Sequence, residues 1–309
     1  MDRASRVIES ILDTIGDTPL VRIRRMNPEP GVTLYAKLEG FNPMGSVKER
    51  IALRIVEEAE RRGELKPGMV LLESSSGNTG IGVAMVGAVK GYPVVITMAQ
   101  KVSVERRQIL RALGAEIVFT SPQGGSDEAW EIADRLHAES PGRYFRIAQY
   151  ENPDNVRAHY EGTAEEIWRQ TGGRVDWLVL TLGTTGTLVG LSRRLKERNP
   201  NLRVVAVEPQ QKHAQQGLRN MTESRVPRIM DWSLVDERMI VNDEDAYRTA
   251  RELVRKEGIF GGISSGTALF AAIDVARRVR RGHIVTLVPD RGEKYLSTTL
   301  FPLGPEPSR

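Results

Sequence analysis

From Val32 onward, short apolar runs alternate with longer stretches whose apolar positions recur every three or four residues. The first kind of segment reads as a strand, the second as a helix. Strands are expected over 32–38, 69–73, 93–98, 115–120, 144–147, 175–181, 203–207 and 283–288. Helices are expected over 47–62, 79–90, 103–113, from about 155 to 170, 187–198, near 243–257 and 267–279. Strand and helix thus alternate in two series, which predicts α/β architecture: two doubly wound domains with parallel sheets covered by helices on both faces. No internal repeat or low-complexity segment interrupts the pattern.

In open parallel sheets ligands bind beyond the carboxyl ends of the strands, so the loops that follow strands are where chemistry is expected. The loop from Asn42 to Arg50 carries Ser46 and Glu49 at capping-box spacing, which makes Ser46 the expected N-cap and puts Lys48 in the first helical turn. A cation there faces the positive end of the helix dipole and loses its proton more readily, as an amine nucleophile must. The second loop, Glu73-Ser74-Ser75-Ser76-Gly77-Asn78-Thr79-Gly80, opens a helix with small residues, hydroxyls and one amide, a composition that suits an anionic or polar ligand. A plain capped turn would use the same residue types. The third, Gly183-Thr184-Thr185-Gly186-Thr187, has the makings of a phosphate cradle of backbone N–H groups and hydroxyls. It lacks the Gly-Lys-Ser/Thr ending of a P-loop and the Gly-x-Gly-x-x-Gly of a dinucleotide site. One lysine, one amide-bearing loop and one phosphate loop together answer the needs of pyridoxal phosphate (PLP): an imine partner, a donor for the ring oxygen and an anion site.

Composition narrows the field. The 44 Lys and Arg against 40 Asp and Glu leave a formal charge of +4, scattered rather than clustered, which argues against nucleic-acid binding. The run Arg277, Arg278, Arg280, Arg281 falls late in an expected helix, where basic residues suit the dipole. The absence of cysteine removes disulfides and thiolate chemistry. His137, His159, His213 and His283 form no ligand-spaced pair, so no metal is expected. No apolar run has membrane-spanning length and the charged N-terminus lacks a signal-peptide core, so a cytoplasmic location is the expectation. The last residues, Gly304 to Arg309, with two prolines, read as a loose tail.

These loops, with Thr14 to Val21, Ser103 to Arg107, Leu113 to Ala115, Asn152-Pro153, Val207 to Pro209, Gly262 to Gly266 and Tyr295 to Thr298, resemble the cysteine synthase family of fold-type-II PLP enzymes (tryptophan synthase β-like). The resemblance runs over nearly the whole chain. The Gly183 to Thr187 loop, Ala158-His159-Tyr160, Glu257 to Phe260 and Asp290-Arg291-Gly292 are similar to the B-type branch, the O-acetylserine sulfhydrylase B type. Two positions depart from the family: Ser75 stands where Thr is frequent, and Ala99 where Pro is usual. The resemblance implies an N-terminal domain over 38–150, with a mobile part near 94–137, and a C-terminal domain built from 13–37 plus 151–309. PLP would lie in the cleft between them, in a homodimer.

It also implies roles. Lys48 would hold the cofactor as a Schiff base and act as the general base; Asn78 would bond the ring oxygen; Gly183, Thr184, Thr185, Gly186 and Thr187 would hold the phosphate. Ser264 would face the pyridine nitrogen, and Ser75, Ser76, Thr79 and Gln149 would gather at the substrate carboxylate. The implied reaction is β-replacement through an aminoacrylate, giving L-cysteine from O-acetylserine or O-phosphoserine and a sulfur donor: sulfide, thiosulfate or a carrier-bound thiocarboxylate. A neutral serine opposite the ring nitrogen leaves a weaker electron sink, which favours prompt elimination over transamination. Gly217 to Met221 resembles a segment of B-type enzymes that prefer O-phosphoserine, which would place Arg219 at the substrate phosphate. Other readings are a cystathionine β-synthase-type condensation with homocysteine, a serine or threonine dehydratase, whose phosphate loop is richer in consecutive glycines, and a non-catalytic binding partner on the same fold, against which an intact Lys48 argues.

Overall fold

A computed structural model describes residues 7–75, 77–100 and 102–302. The tail from Gly304 and the candidate Ser76 lie outside the described residues. In chain order the elements are β1 (Leu20–Ile23), β2 (Val32–Leu38), α1 (Lys48–Arg62), β3 (Val70–Ser74), α2 (Asn78–Lys90), β4 (Val94–Met98), α3 (Val104–Ala112), β5 (Glu116–Phe119), α4 (Ser126–Glu139), β6 (Tyr144–Arg146), α5 (Pro153–Ala158), α6 (Ala164–Thr171), β7 (Trp177–Thr181), α7 (Gly186–Arg198), β8 (Arg203–Pro209), β9 (Glu237–Val241), α8 (Asp243–Glu252), α9 (Ile263–Val279) and β10 (Gly282–Val288).

The strands form two sheets. The smaller has the order β5-β4-β3-β6 and is parallel throughout; the larger has the order β1-β2-β10-β7-β8-β9 and is parallel except for β1, which runs antiparallel to β2. The central strands β3 and β4 are buried at every position, as a sheet covered on both faces requires. Helices α1, α2 and α3 bring Ile51, Ile55, Ile81 and Leu110 onto one face of the small sheet, and α4 covers the other with Ala133. The large sheet is covered by α8 and α9 on one face, through Ala246, Ala250, Leu269 and Val275, and by α6 and α7 on the other, through Ile167, Leu188, Leu191 and Leu195.

Three elements are absent from the sequence expectation, each for a visible reason. β1 is four residues long with Arg22 inside it, and β9 alternates partly buried and exposed positions, leaving Ile240 65% exposed, so neither edge strand makes an apolar run. Helix α4 buries only Ala129, Trp130 and Ala133, too narrow a stripe for a strong helical period. The helix expected from about 155 to 170 begins earlier, at Pro153, where Asn152 accepts from the Asp154 N–H at 3.0 Å. It is then divided by one wide turn at His159–Thr163, and a second such turn, Leu253–Glu257, closes α8. Helix α9 starts four residues before the expected 267, at Ile263.

The motif from Thr14 to Val21 finds its explanation in a buried ionic knot. Arg50 on α1 makes paired bonds to Glu39 (2.6 and 2.9 Å) and to Glu166 on α6 (2.6 and 2.8 Å). Lys37 on β2 reaches Glu166 at 2.6 Å, and Thr18 donates to Glu39 at 2.8 Å. The Gly16 N–H donates to Asn42 Oδ1 at 2.8 Å, and the Asp17 N–H to Glu166 at 2.9 Å. The knot ties β2 and α6 of the large sheet to α1, which packs on the small one.

Candidate active site

The N-termini of α1, α2, α7 and α9 converge on one cavity of about 360 Å³ at the carboxyl ends of β3, β7 and β10. Four positive dipole ends thus face a common space, a setting built for an anionic ligand.

Lys48 is the first residue of α1 and lines the cavity. The expected N-cap at Ser46 is corrected by one position, since Val47 occupies the capping place and makes no side-chain cap. Ser46 and Glu49 still bond each other: Glu49 accepts from the Ser46 N–H at 2.8 Å and from its hydroxyl at 3.1 Å, while Ser46 Oγ accepts from the Lys48 N–H at 3.3 Å. This fixes the backbone that carries Lys48. Its Nζ has one long contact, 3.4 Å to Thr184 Oγ1, and burial lowers the ammonium to about 8. With no carboxylate partner among the described residues, about half of the amine is neutral at pH 8 and about a tenth at pH 7. Attachment of a carbonyl ligand needs that neutral form, so the rate of cofactor uptake by cofactor-free protein should climb through pH 8 and level off above it; stopped-flow absorbance against pH checks this. A midpoint near the ordinary lysine value would show that the pocket does not desolvate Lys48.

Beyond β3, Ser75 Oγ accepts from the N–H groups of Gly77 (3.2 Å) and Gly80 (3.0 Å), which shapes the turn into α2. Thr79 donates to Gln149 Oε1 at 2.6 Å, and Gln149 Nε2 donates to Glu73 at 3.3 Å and to the Ser74 carbonyl at 3.1 Å. Burial raises the Glu73 carboxyl. Ser75, Asn78, Thr79 and Gln149 all line the cavity, so these candidates are brought together.

The third loop closes the opposite side. Thr185 adopts φ 69°, a left-handed conformation rare for a β-branched residue, and its buried hydroxyl has no hydrogen-bond partner among the described residues. Strain and an unmet donor at the start of a 13-residue helix fit a site shaped for an anion. A Cβ on Gly186 would collide with the Asn155 amide, and one on Gly183 would sit 2.8 Å from the Gly217 carbonyl, so both must be glycine. Behind the loop His159, fully buried, spans Thr163 Oγ1 (3.0 Å) and Thr187 Oγ1 (3.1 Å). Burial, aided by the charges of Arg50 and Lys48, holds its pKa well below the usual histidine range, so it is a neutral brace for Thr187.

Ser264, second residue of α9, lines the cavity, whereas its fully buried neighbour Ser265 does not. Arg219 does not line the cavity either. It is buried with its guanidinium 4.4 Å from the ring centre of Tyr150, and Tyr150 is the residue that faces the cleft, stacked on Trp130 at 4.8 Å. Ala99, the departure after β4, lines the cavity. The structure adds residues to which the sequence reading gave no role: His159, Arg106, which faces the cleft and bonds Gln216 at 2.7 Å, and the group Asp290, Lys294 and Tyr295. All but Lys294 fall inside motifs of the resemblance, but a motif match carries no geometry.

An amine with a depressed pKa, an amide, a strained anion loop and an uncharged hydroxyl therefore surround one space. A family model described as pyridoxal-phosphate dependent enzyme matches residues 11–290. The chain belongs to this family. Among its relatives, cysteine synthase B of Salmonella typhimurium is 44% identical, over 95% of this chain and 96% of that protein. Cystathionine beta-synthase of Mus musculus is 41% identical over 97% of this chain, which spans 56% of that longer protein. The crystal structure of cysteine synthase (OASS) from Entamoeba histolytica, 40% identical, superposes with a TM-score of 0.92, covering 100% of this chain and 95% of that one. The fold is that of the fold-type-II PLP enzymes, and PLP is the cofactor of the family. The expected cofactor and fold class hold. No described helix is long and apolar enough to cross a membrane.

Proposed function

We propose that this chain makes L-cysteine by replacing the β-substituent of an O-activated L-serine with sulfur. The observation that carries the reading is Lys48 on the cavity wall, desolvated, without an acidic partner among the described residues and beside the loop of Gly183 to Thr187. Pyridoxal phosphate, when bound, supplies an electron-accepting ring conjugated to the amino acid's α-carbon. Lys48 would hold it covalently between turnovers. The N–H groups at the start of α7, with Thr184, Thr185 and Thr187, would hold its phosphate, Asn78 would meet its ring oxygen, and Ser264 its ring nitrogen.

The protein's part in turnover follows from the same geometry. Ser75 and Thr79 at the start of α2, with Gln149 from the loop after β6, orient the substrate carboxylate; Ser76 belongs to the loop that opens α2. Lys48, displaced by the incoming amine, takes the α-proton and later returns it. As the proton leaves, the substituent on the β-carbon departs with its electron pair, and a sulfur nucleophile forms the new bond there. Ser264 would give the ring nitrogen a neutral hydroxyl partner in place of a carboxylate, which favours elimination over transamination.

The two lobes are read as 38–150 and 13–37 plus 151–309, with the segment near 94–137 as the moving part and PLP between the lobes. Membership of the sheets supports this: β3 to β6 form one, β1, β2 and β7 to β10 the other. The resemblance supports a homodimer, and the charged N-terminus supports a cytoplasmic location. A second reading, cystathionine formation from homocysteine, is favoured by the 41% identity to cystathionine beta-synthase over 97% of this chain.

The activated serine is tested by comparing O-acetylserine and O-phosphoserine with sulfide. Arg219 is a cation against Tyr150, and it can serve a substrate phosphate by turning from that ring toward the cleft. A charge-assisted hydrogen bond is worth about 1.5–3 kcal/mol, so Arg219→Ala should lower kcat/KM for O-phosphoserine about tenfold or more and spare O-acetylserine. Equal losses on both would remove Arg219 from substrate choice, and a parent protein inert with both would overturn the proposed reaction.

A further inference from the structure

Asn78 is the candidate donor to the cofactor's ring oxygen, and its side chain is held from both ends. Its Nδ2 donates to Asp290 Oδ2 at 2.7 Å, and its Oδ1 accepts from Lys294 Nζ at 2.9 Å. An ammonium only donates and a carboxylate only accepts, so this pair permits a single orientation of the amide. The nitrogen has two hydrogens. Asp290 takes one, and the other remains for an acceptor in the cavity that Asn78 lines.

Asp290 and Lys294 are 1% and 5% exposed. The Tyr295 hydroxyl donates to the same Asp290 Oδ2 at 2.7 Å, and Lys294 Nζ also donates to the Gly45 carbonyl at 3.4 Å. The backbone around Asp290 is tied to two other cofactor-bearing loops. Residue 290 bridges Ser46, two positions before Lys48, and its carbonyl accepts from the Gly262 N–H at 3.3 Å, two positions before Ser264. Helix α3 of the small sheet joins the same segment, through Ser103 Oγ to the Lys294 carbonyl (3.2 Å) and Ser297 to Glu105 (2.7 Å).

We propose that Asp290 and Lys294 are positioning residues that lock the Asn78 amide with one N–H aimed at the cofactor's ring oxygen, and so set that oxygen's charge state. The proposal rests on the reading of this cavity as a PLP site. A donor aimed at an oxygen favours its ionised form over its neutral form. With the lock removed, the amide turns between two orientations, one of which presents its carbonyl oxygen to the ring oxygen and disfavours the charge.

The test is the visible spectrum of the holoenzyme without substrate, in which the ionised-oxygen form absorbs at longer wavelength than the neutral form. Lys294→Met and Asp290→Asn should each lower the ratio of the long- to the short-wavelength band by about tenfold, the loss of one hydrogen bond to a charged group. Lys294→Arg, which keeps a donor, should restore most of the ratio. In an Asn78→Ala background, which itself lowers the ratio, adding Lys294→Met should change it no further, because both act through one amide. A ratio that stays at the parent value in Lys294→Met and Asp290→Asn, or that falls again by the same factor in the Asn78→Ala background, overturns the lock. A change in melting temperature with an unmoved spectrum assigns the two residues a structural part only and overturns it equally. A parent protein that takes up PLP without any such band defeats the reading of the site itself, a result distinct from the failure of the lock.

Discussion

Lys48→Ala should abolish formation of cysteine and, with it, the covalent attachment of the cofactor. General-base catalysis alone contributes about 10²–10⁴-fold, and this lysine has a second task in holding the cofactor, so the loss should reach the upper end of that range or beyond. Two features set Lys48 apart from other cations of the cleft region. Among the described residues its Nζ reaches only Thr184 Oγ1, at 3.4 Å, and burial leaves it about half deprotonated at pH 8. Lys294 is also buried and its ammonium is also lowered by desolvation, but Asp290 and Glu49 pull it back toward the charged form and Asn78 engages it. Borohydride reduction of the parent, followed by peptide mapping, should therefore mark the peptide containing Lys48. A mark on Lys294, or parental turnover in Lys48→Ala, would relocate the site.

Glu166→Ala should cost about 3–5 kcal/mol of stability, because it leaves two buried cations without their shared anion. Arg50 keeps Glu39, but Lys37, fully buried, loses its only carboxylate within 2.6 Å. Arg50 and Lys37 hold the Glu166 carboxyl far below the usual range against the cost of burial. A carboxyl depressed in the folded state stabilises above the unfolded carboxylate range, and that contribution is lost as pH falls through and below it. The destabilisation should thus be full at pH 7 and shrink on acidification below the ordinary carboxylate range; urea melts at pH 7 and pH 3 check this. An equal cost at both values would mean that packing, not charge, is what Glu166 supplies. Because the knot joins β2 and α6 to α1, the variant should also loosen the backbone that presents Lys48.

The chain's hydrophobic pattern shows the central strands and most helices because burial on both faces makes them continuous or strongly periodic. It hides the edges: β1 is antiparallel and carries Arg22, and β9 shows alternate residues to solvent. The loops that line the cavity are legible from composition, since glycine, hydroxyl and amide residues after a strand have few other uses. Their supports are not. His159 stands 28 positions before the Thr187 it braces, and Asp290 and Lys294 stand more than 200 after the Asn78 they hold. Such pairings come from the closing of two sheets on one cleft, which no local pattern records. Arg219 shows the converse: its segment lies beyond β8 as expected, yet the side chain rests on Tyr150 outside the cavity wall.

The most direct test of the proposed reaction is to supply the purified PLP-loaded protein with O-acetylserine and offer sulfide and homocysteine in parallel, with products resolved by mass. The account predicts L-cysteine as the main product, formed from sulfide at least about tenfold faster than cystathionine from homocysteine, a margin of about 1.4 kcal/mol in transition-state binding. Cystathionine as the faster product, or no new amino acid from either nucleophile, would contradict it.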